Sequence, residues 1–131
     1  MTDQRNYIVY TWPWSENSGG IMFMHHLVDE LNRLGERAFL WRTGPIVKLG
    51  PRGWLRYRLK RGPMKTNAAL DTPIARRRDL TRQSIIVYSE RVPKNPLKAN
   101  NVIRWLLYKP GLLHPYDFGR DEMFFKAGEM S

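Results

Sequence analysis

Hydrophobic and polar positions follow two rhythms at the start of this chain. Tyr7-Ile8-Val9-Tyr10 is an unbroken apolar run of aromatic and β-branched residues, bounded by Pro13 and by the small polar cluster Asn17-Ser18-Gly19-Gly20, and it predicts a buried strand. The spacing then changes. Apolar residues recur at Ile21, Met24, Leu27, Val28, Leu31 and Leu34, which lays one stripe along a helix facing a core, and Gly35 ends it. Ala38-Phe39-Leu40-Trp41 predicts a second strand, so the chain opens as a βαβ unit. Such units have parallel neighbours and a ligand crevice at the carboxyl ends of their strands.

From Arg42 to Arg82 periodicity is poor and breakers are frequent: Gly44-Pro45, Gly50-Pro51, Gly53, Gly62-Pro63 and Pro73. The stretch reads as a long loop with one short helix, Trp54 to Arg61, in which Trp, Tyr and Leu interleave with bases. A loop of that length inside a compact domain is functional or mobile. Regular pattern returns with Ile85-Ile86-Val87-Tyr88, continuous and apolar as expected of a strand buried on both faces. After Val92-Pro93 and Asn95-Pro96-Leu97, the spacing of Ala99, Val102, Ile103, Leu106 and Leu107 predicts a second amphipathic helix, stopped by Lys109-Pro110-Gly111. A loop over Leu112 to Glu122 leads to a short strand at Met123-Phe124-Phe125. With the first strand central, flanked by the second strand and the Ile85 strand, the crevice opens between the loops Trp12 to Gly20 and Ser89 to Leu97.

Composition narrows the class. The 131 residues suffice for one domain with a real core, and the absence of cysteine excludes a disulfide scaffold and thiolate metal sites. Met1 to Asn6 is polar, so no signal peptide is expected, and the longest apolar runs fall far short of the ~20 residues a bilayer needs. The net charge is +10, and twelve Lys and Arg against two acids lie between Arg42 and Arg82, leaving ten of each sign elsewhere. The whole excess belongs to one insert. Its basic and aromatic composition suits a membrane surface, a charged glycan or another polyanion; no nucleic-acid motif is present, and a solvated, partly disordered insert is the competing reading.

Candidate chemistry follows from position. Ser18 or Asn17 caps the first helix, and Gly19 and Gly20 leave first-turn amides and the positive end of the helix dipole uncovered, which suits an anion; the alternative is that the glycines only permit a tight turn. Glu90, at the crevice mouth, could hydrogen-bond sugar hydroxyls, act as a base, or brace its loop. His25 and His26 are adjacent, whereas two ligands on one helix face need i and i+4 spacing, so they read as core or boundary residues and no metal is assigned. No nucleophile constellation is visible, so no catalytic residue is named.

Two segments resemble bacterial glycosyltransferases of the GT-B type: Tyr7 to Trp41, with Glu16-Asn17-Ser18-Gly19-Gly20-Ile21 running into a helix that carries His25, and Ile86-Val87-Tyr88-Ser89-Glu90 followed by Asn95-Pro96-Leu97, Val102 to Leu107 and Lys109-Pro110-Gly111. Ser89 stands where the family pattern has proline. The resemblance implies an α/β, Rossmann-like three-layer domain with a small parallel sheet of three to four strands, helices on both faces, and the basic insert at residues 42–82. It further implies the acceptor-side, amino-terminal half of an enzyme of polysaccharide biosynthesis, in which a second domain, with the family's donor-phosphate glutamates, holds the nucleotide-sugar donor. On that footing Asn17, Ser18, Gly19 and Gly20 approach the donor's diphosphate, Glu90 and Asn95 line the interdomain cleft, and Trp54, Arg56, Arg58, Lys60 and Arg61 touch an anionic surface or acceptor. The acceptor is a glycan or lipid-linked sugar, no cofactor is implied, and the chain alone is expected to be inactive. A cytoplasmic protein, peripheral at the inner membrane face, fits that picture; an exposed sheet edge would favour pairing with another copy. The alternative is a non-catalytic basic module that binds a membrane surface or polyanion.

Overall fold

Ser18 decides where the first helix begins. In the computed structural model, which describes residues 5–44, 50–106 and 123–126, its backbone is extended and its Oγ accepts the Ile21 amide at 3.3 Å, so Ser18 rather than Asn17 is the cap of α1 (Gly19–Arg33). The other end closes equally locally. Gly35, at φ +90°, donates to Asn32 O at 3.1 Å and Glu36 donates to Leu31 O at 3.0 Å, the paired bonds of a Schellman motif, which leave Leu34 exposed in the cap instead of extending the buried stripe.

Around α1 the chain builds a single parallel sheet from β1 (Tyr7–Thr11), β2 (Ala38–Arg42), β3 (Ile85–Ser89), β4 (Asn101–Leu106) and β5 (Met123–Lys126), in the order β2-β1-β3-β4-β5. β1 is flanked by β2 and β3 as expected, with Val9 level with Leu40 on one side and Val87 on the other. The fold is Rossmann-like α/β. On one sheet face Val9, Leu40 and Val87 pack with Met24 and Val28 of α1; on the other Ile8, Tyr10, Ile86, Tyr88 and Val102 form a second layer. Ile8, Val9, Leu40 and Ile86 are fully buried, and burial of each stabilises the fold by about 1.5–3 kcal/mol.

The expected second amphipathic helix is instead β4, so the sheet has five strands rather than three or four. Val102 joins the layer of Ile8 and Ile86 while Ile103 and Trp105 pack on the α1 face, an alternation of period two. Burial on both faces fills in that period with apolar residues, and the three-and-four spacing of Val102, Ile103 and Leu106 is then incidental. Leu107, the Lys109-Pro110-Gly111 stop and the 112–122 loop lie outside the described residues.

Among the described residues, the second face, where a helix was expected, is covered by loops and one 3-10 turn (Arg77–Asp79) through Ala75, Leu80, Leu97 and Ala99. The basic stretch therefore divides into two parts. Its second half is a strap: Trp14 N–H donates to Lys65 O, Asp71 N–H to Asp29 Oδ1, and Ile74 forms a parallel bridge with Leu40 that continues the sheet beyond β2. Residues 62–80 are thus seated, against the reading of a solvated insert, and the bridge covers part of the β2 edge. Its first half carries α2 (Pro51–Arg61), which starts three residues before the expected Trp54 because Pro51 suits the first helical turn. Among the described residues, α2 shares no backbone packing with the sheet or α1.

Candidate functional site

β1 ends at Thr11 and β3 at Ser89, and the two loops that leave them diverge across the point where the strand order reverses. Between them lies a small, half-open pocket of about 10 Å³, lined by Thr11, Trp12, Ser18, Gly20, Ile21, Met24, Ser89 and Arg91. Ser18 and Gly20 are the expected residues found on its wall. Gly19 begins α1 beside them, exposed, with open space where a Cβ would stand. The Gly19 and Gly20 amides have no acceptor within the helix, since the first intrahelical bond is Met22 N–H to Ser18 O at 3.0 Å, and the first turn carries no acid. Asn17 is exposed, with its N–H on Ser15 Oγ.

The histidine pair braces this loop. His25 is fully buried and its Nε2–H donates to Trp12 O at 2.9 Å, while Trp14 packs edge-on against His25 and His26 at 5.4 and 5.9 Å. The carbonyl partner selects the Nε2–H tautomer and leaves Nδ1 a bare lone pair, buried without a partner. Burial lowers the His25 pKa below the ordinary 6.5; the Trp12 carbonyl opposes that shift and the neighbouring His26 adds to it. Folded His25 therefore stays neutral while the unfolded chain takes up a proton, so stability is unaffected above about pH 7 and falls as pH drops below about 6.5. Urea unfolding should show stability declining as pH falls below about 6.5, with a slope of at most about 1.4 kcal/mol per pH unit for one proton. His25→Gln, which keeps the donor but not the titration, should flatten that part of the profile; equal slopes in both proteins would refute the assignment.

Across the cleft, the loop after β3 is shaped from within. Tyr88 O–H donates to Asn95 Oδ1 at 2.7 Å and accepts the Leu97 amide at 3.0 Å, while Asn95 exchanges bonds with both backbone groups of Ala99 at 2.9 Å. Asn95, expected to line the cleft, instead uses its amide to fold the loop, and it is not on the cleft wall. Glu90 is 4% exposed and also absent from that wall. Beneath this loop lies a residue that no sequence signal marked. Arg104 of β4 is fully buried, its guanidinium donating to Ser89 O at 3.3 Å and to Val92 O and Lys94 O, over the face of Tyr88 at 4.7 Å. One cation thereby fixes the carbonyls that aim Glu90 and Arg91.

Two wall residues were also missed. Thr11 Oγ1 is buried without a hydrogen-bond partner, and Arg91 holds its guanidinium 5.4 Å from the Trp12 ring centroid. Trp54, Arg56, Arg58, Lys60 and Arg61 belong to α2, with Trp54 stacked on Tyr57 at 5.7 Å, and Trp54, Arg56, Arg58 and Lys60 are not among the residues of the cleft wall. Among the described residues no group of three or more His, Cys, Asp or Glu comes together for a metal, and no helix is long and apolar enough to cross a membrane. The chain matches no family model, no curated protein and no solved structure.

Proposed function

We propose that the chain is the acceptor-side domain of a GT-B glycosyltransferase, which moves a sugar from a nucleotide-sugar donor to a glycan or lipid-linked acceptor. The observation that carries this reading is the cleft at the β1–β3 switch point, where the first turn of α1 faces the end of β3. In the proposed reaction the donor lies mainly against a second domain and reaches this cleft by its diphosphate. The Gly20 amide and the dipole of α1 then stabilise charge on the departing diphosphate, because both point at it before it forms. The sequence pattern from Tyr88 to Leu97 acquires a structural sense on this reading: Asn95 and Tyr88 hold the loop's shape, and the shape presents the cleft wall.

An amide NMR titration of the labelled chain with a panel of nucleotide sugars tests it. Saturable shifts at Gly19, Gly20 and Ser89, stronger for one donor than for the others, are expected. Shifts limited to α2, equal for every polyanion tried, would remove the reading.

A second reading, a basic module for an anionic lipid surface at the inner membrane face, is favoured by α2 itself. Trp54, Leu55 and Leu59 are 40%, 57% and 74% exposed beside Arg56, Arg58 and Lys60, a mixture of apolar and cationic side chains suited to the headgroup boundary. Aliphatic side chains gain from an acyl phase and nothing from a nucleic acid, so the lipid is the occupant named.

A further inference from the structure

We propose that the mouth of the β1–β3 cleft is an oxyanion site for a phosphate group, closed by Arg91. The inference rests on the reading of that cleft as a ligand site, but not on the transferase assignment. Three kinds of donor converge there from different parts of the chain. The first is the start of α1, where Ser18 has spent its hydroxyl on the Ile21 amide and the Gly20 N–H is left without an intrahelical acceptor. The second is Thr11. The residue lines the pocket and is 1% exposed, and its buried Oγ1 has no partner, which is an unfavourable arrangement for a hydroxyl and one that a ligand oxygen would relieve.

The third donor is Arg91, the one charged residue among the described residues of the wall. Its guanidinium rests on Trp12, itself a wall residue, so the charge is held at the cleft by a ring and leaves its N–H edges free to turn inward. With no carboxylate among the described residues of the wall, the cleft favours an anion. Donors that approach from the ends of β1, α1 and β3 match the tetrahedral oxygens of a phosphate better than the single plane of a carboxylate. The group could be inorganic phosphate or pyrophosphate, or the phosphate of an ester; the chemistry at the protein is the same.

The test is a titration of the labelled full chain with inorganic pyrophosphate, with phosphate and with a nucleotide sugar, at constant ionic strength against sodium chloride, repeated for Thr11→Val, Arg91→Gln and the charge-matched control Arg37→Gln, an exposed position before β2. Saturable shifts of the Gly19, Gly20 and Thr11 amides are expected. Arg91→Gln should weaken pyrophosphate binding about tenfold or more and Thr11→Val severalfold, consistent with one charge-assisted and one neutral hydrogen bond, while Arg37→Gln leaves it unchanged. Equal weakening by Arg91→Gln and Arg37→Gln, or the same shifts with chloride, would overturn the site. Pyrophosphate binding that no nucleotide sugar improves supports the site and overturns the donor reading. Nucleotide-sugar shifts insensitive to Arg91→Gln and Thr11→Val overturn the site and leave the donor reading standing.

Discussion

Substituting Arg104 with methionine should destabilise the fold by about 3–5 kcal/mol, the largest single-site loss expected in the chain. Methionine fills most of the volume on β4, so the loss comes from polarity rather than from a cavity. The carbonyls of Ser89, Val92 and Lys94 would lose their guanidinium donor, and a buried acceptor without one costs about 1–3 kcal/mol. Lys94 has φ +61°, so part of this loop is already held in a left-handed conformation by its surroundings. Arg104→Lys is the informative control, since it keeps the charge but cannot present two N–H groups in a fixed fork to Val92 O and Lys94 O. It should lose most of the same stability. Urea unfolding followed by tryptophan fluorescence measures both variants, and a loss below about 1 kcal/mol for methionine would mean that water can replace the guanidinium. The loop carries Arg91, so a folded Arg104 variant should also bind pyrophosphate more weakly although Arg104 is not on the cleft wall.

Neutralising Arg56, Arg58, Lys60 and Arg61 together, each to glutamine, should reduce binding to phosphatidylserine-containing vesicles by about a thousandfold at low salt. The estimate takes about 1 kcal/mol for each basic residue near an anionic surface, which sums to about 4 kcal/mol for four. Binding by the unaltered chain should weaken steeply between about 0.05 and 0.3 M salt, as the screening length shrinks. Leu55→Ser with Leu59→Ser should separate the two contributions: affinity falls, and the salt dependence persists because the charges remain. Leu55, Arg56, Arg58, Leu59 and Lys60 are exposed, so their substitution should not lower the stability of the sheet. Sedimentation with vesicles of graded anionic content is the measurement. No sedimentation at low salt would end the lipid reading, and undiminished binding by the neutralised protein would show that the charges of α2 are not its cause.

How far the chain was legible depends on the range of the interactions. The first three elements could be read because their signals sit within a few residues of their effects: Ser18 caps the amide three positions on, Gly35 closes the Schellman turn, and Tyr7 to Tyr10 is apolar throughout. The placement of β1 between β2 and β3 also followed, because a βαβ start and one further parallel strand allow few arrangements. β4 was misread since a strand buried on both faces has no visible period of two, and a spacing of three and four then fits by accident. The strap of residues 62–80 looked structureless for a related reason. Its anchors, Asp29, Asn32, Leu40 and Trp14, lie 30 or more positions away in sequence.

The site divides along the same line. Ser18 and Gly20 reached the cleft wall because helix geometry alone puts them there, while Glu90 and Asn95, assigned to the cleft by loop position, are not among the wall residues, and Asn95 spends its amide folding the loop. Arg104, Thr11 and Arg91 carried no local mark. A buried arginine on a strand, a threonine at a strand end and a loop arginine are ordinary in sequence, and they acquire meaning only by what faces them. By itself, then, the sequence determined where the first three elements start and stop, the α/β class and the excess of positive charge. The tertiary structure alone decided which polar groups are satisfied and which are left bare, because hydrogen bonds reach about 3 Å and the ends of β1 and β3 meet only when the sheet forms.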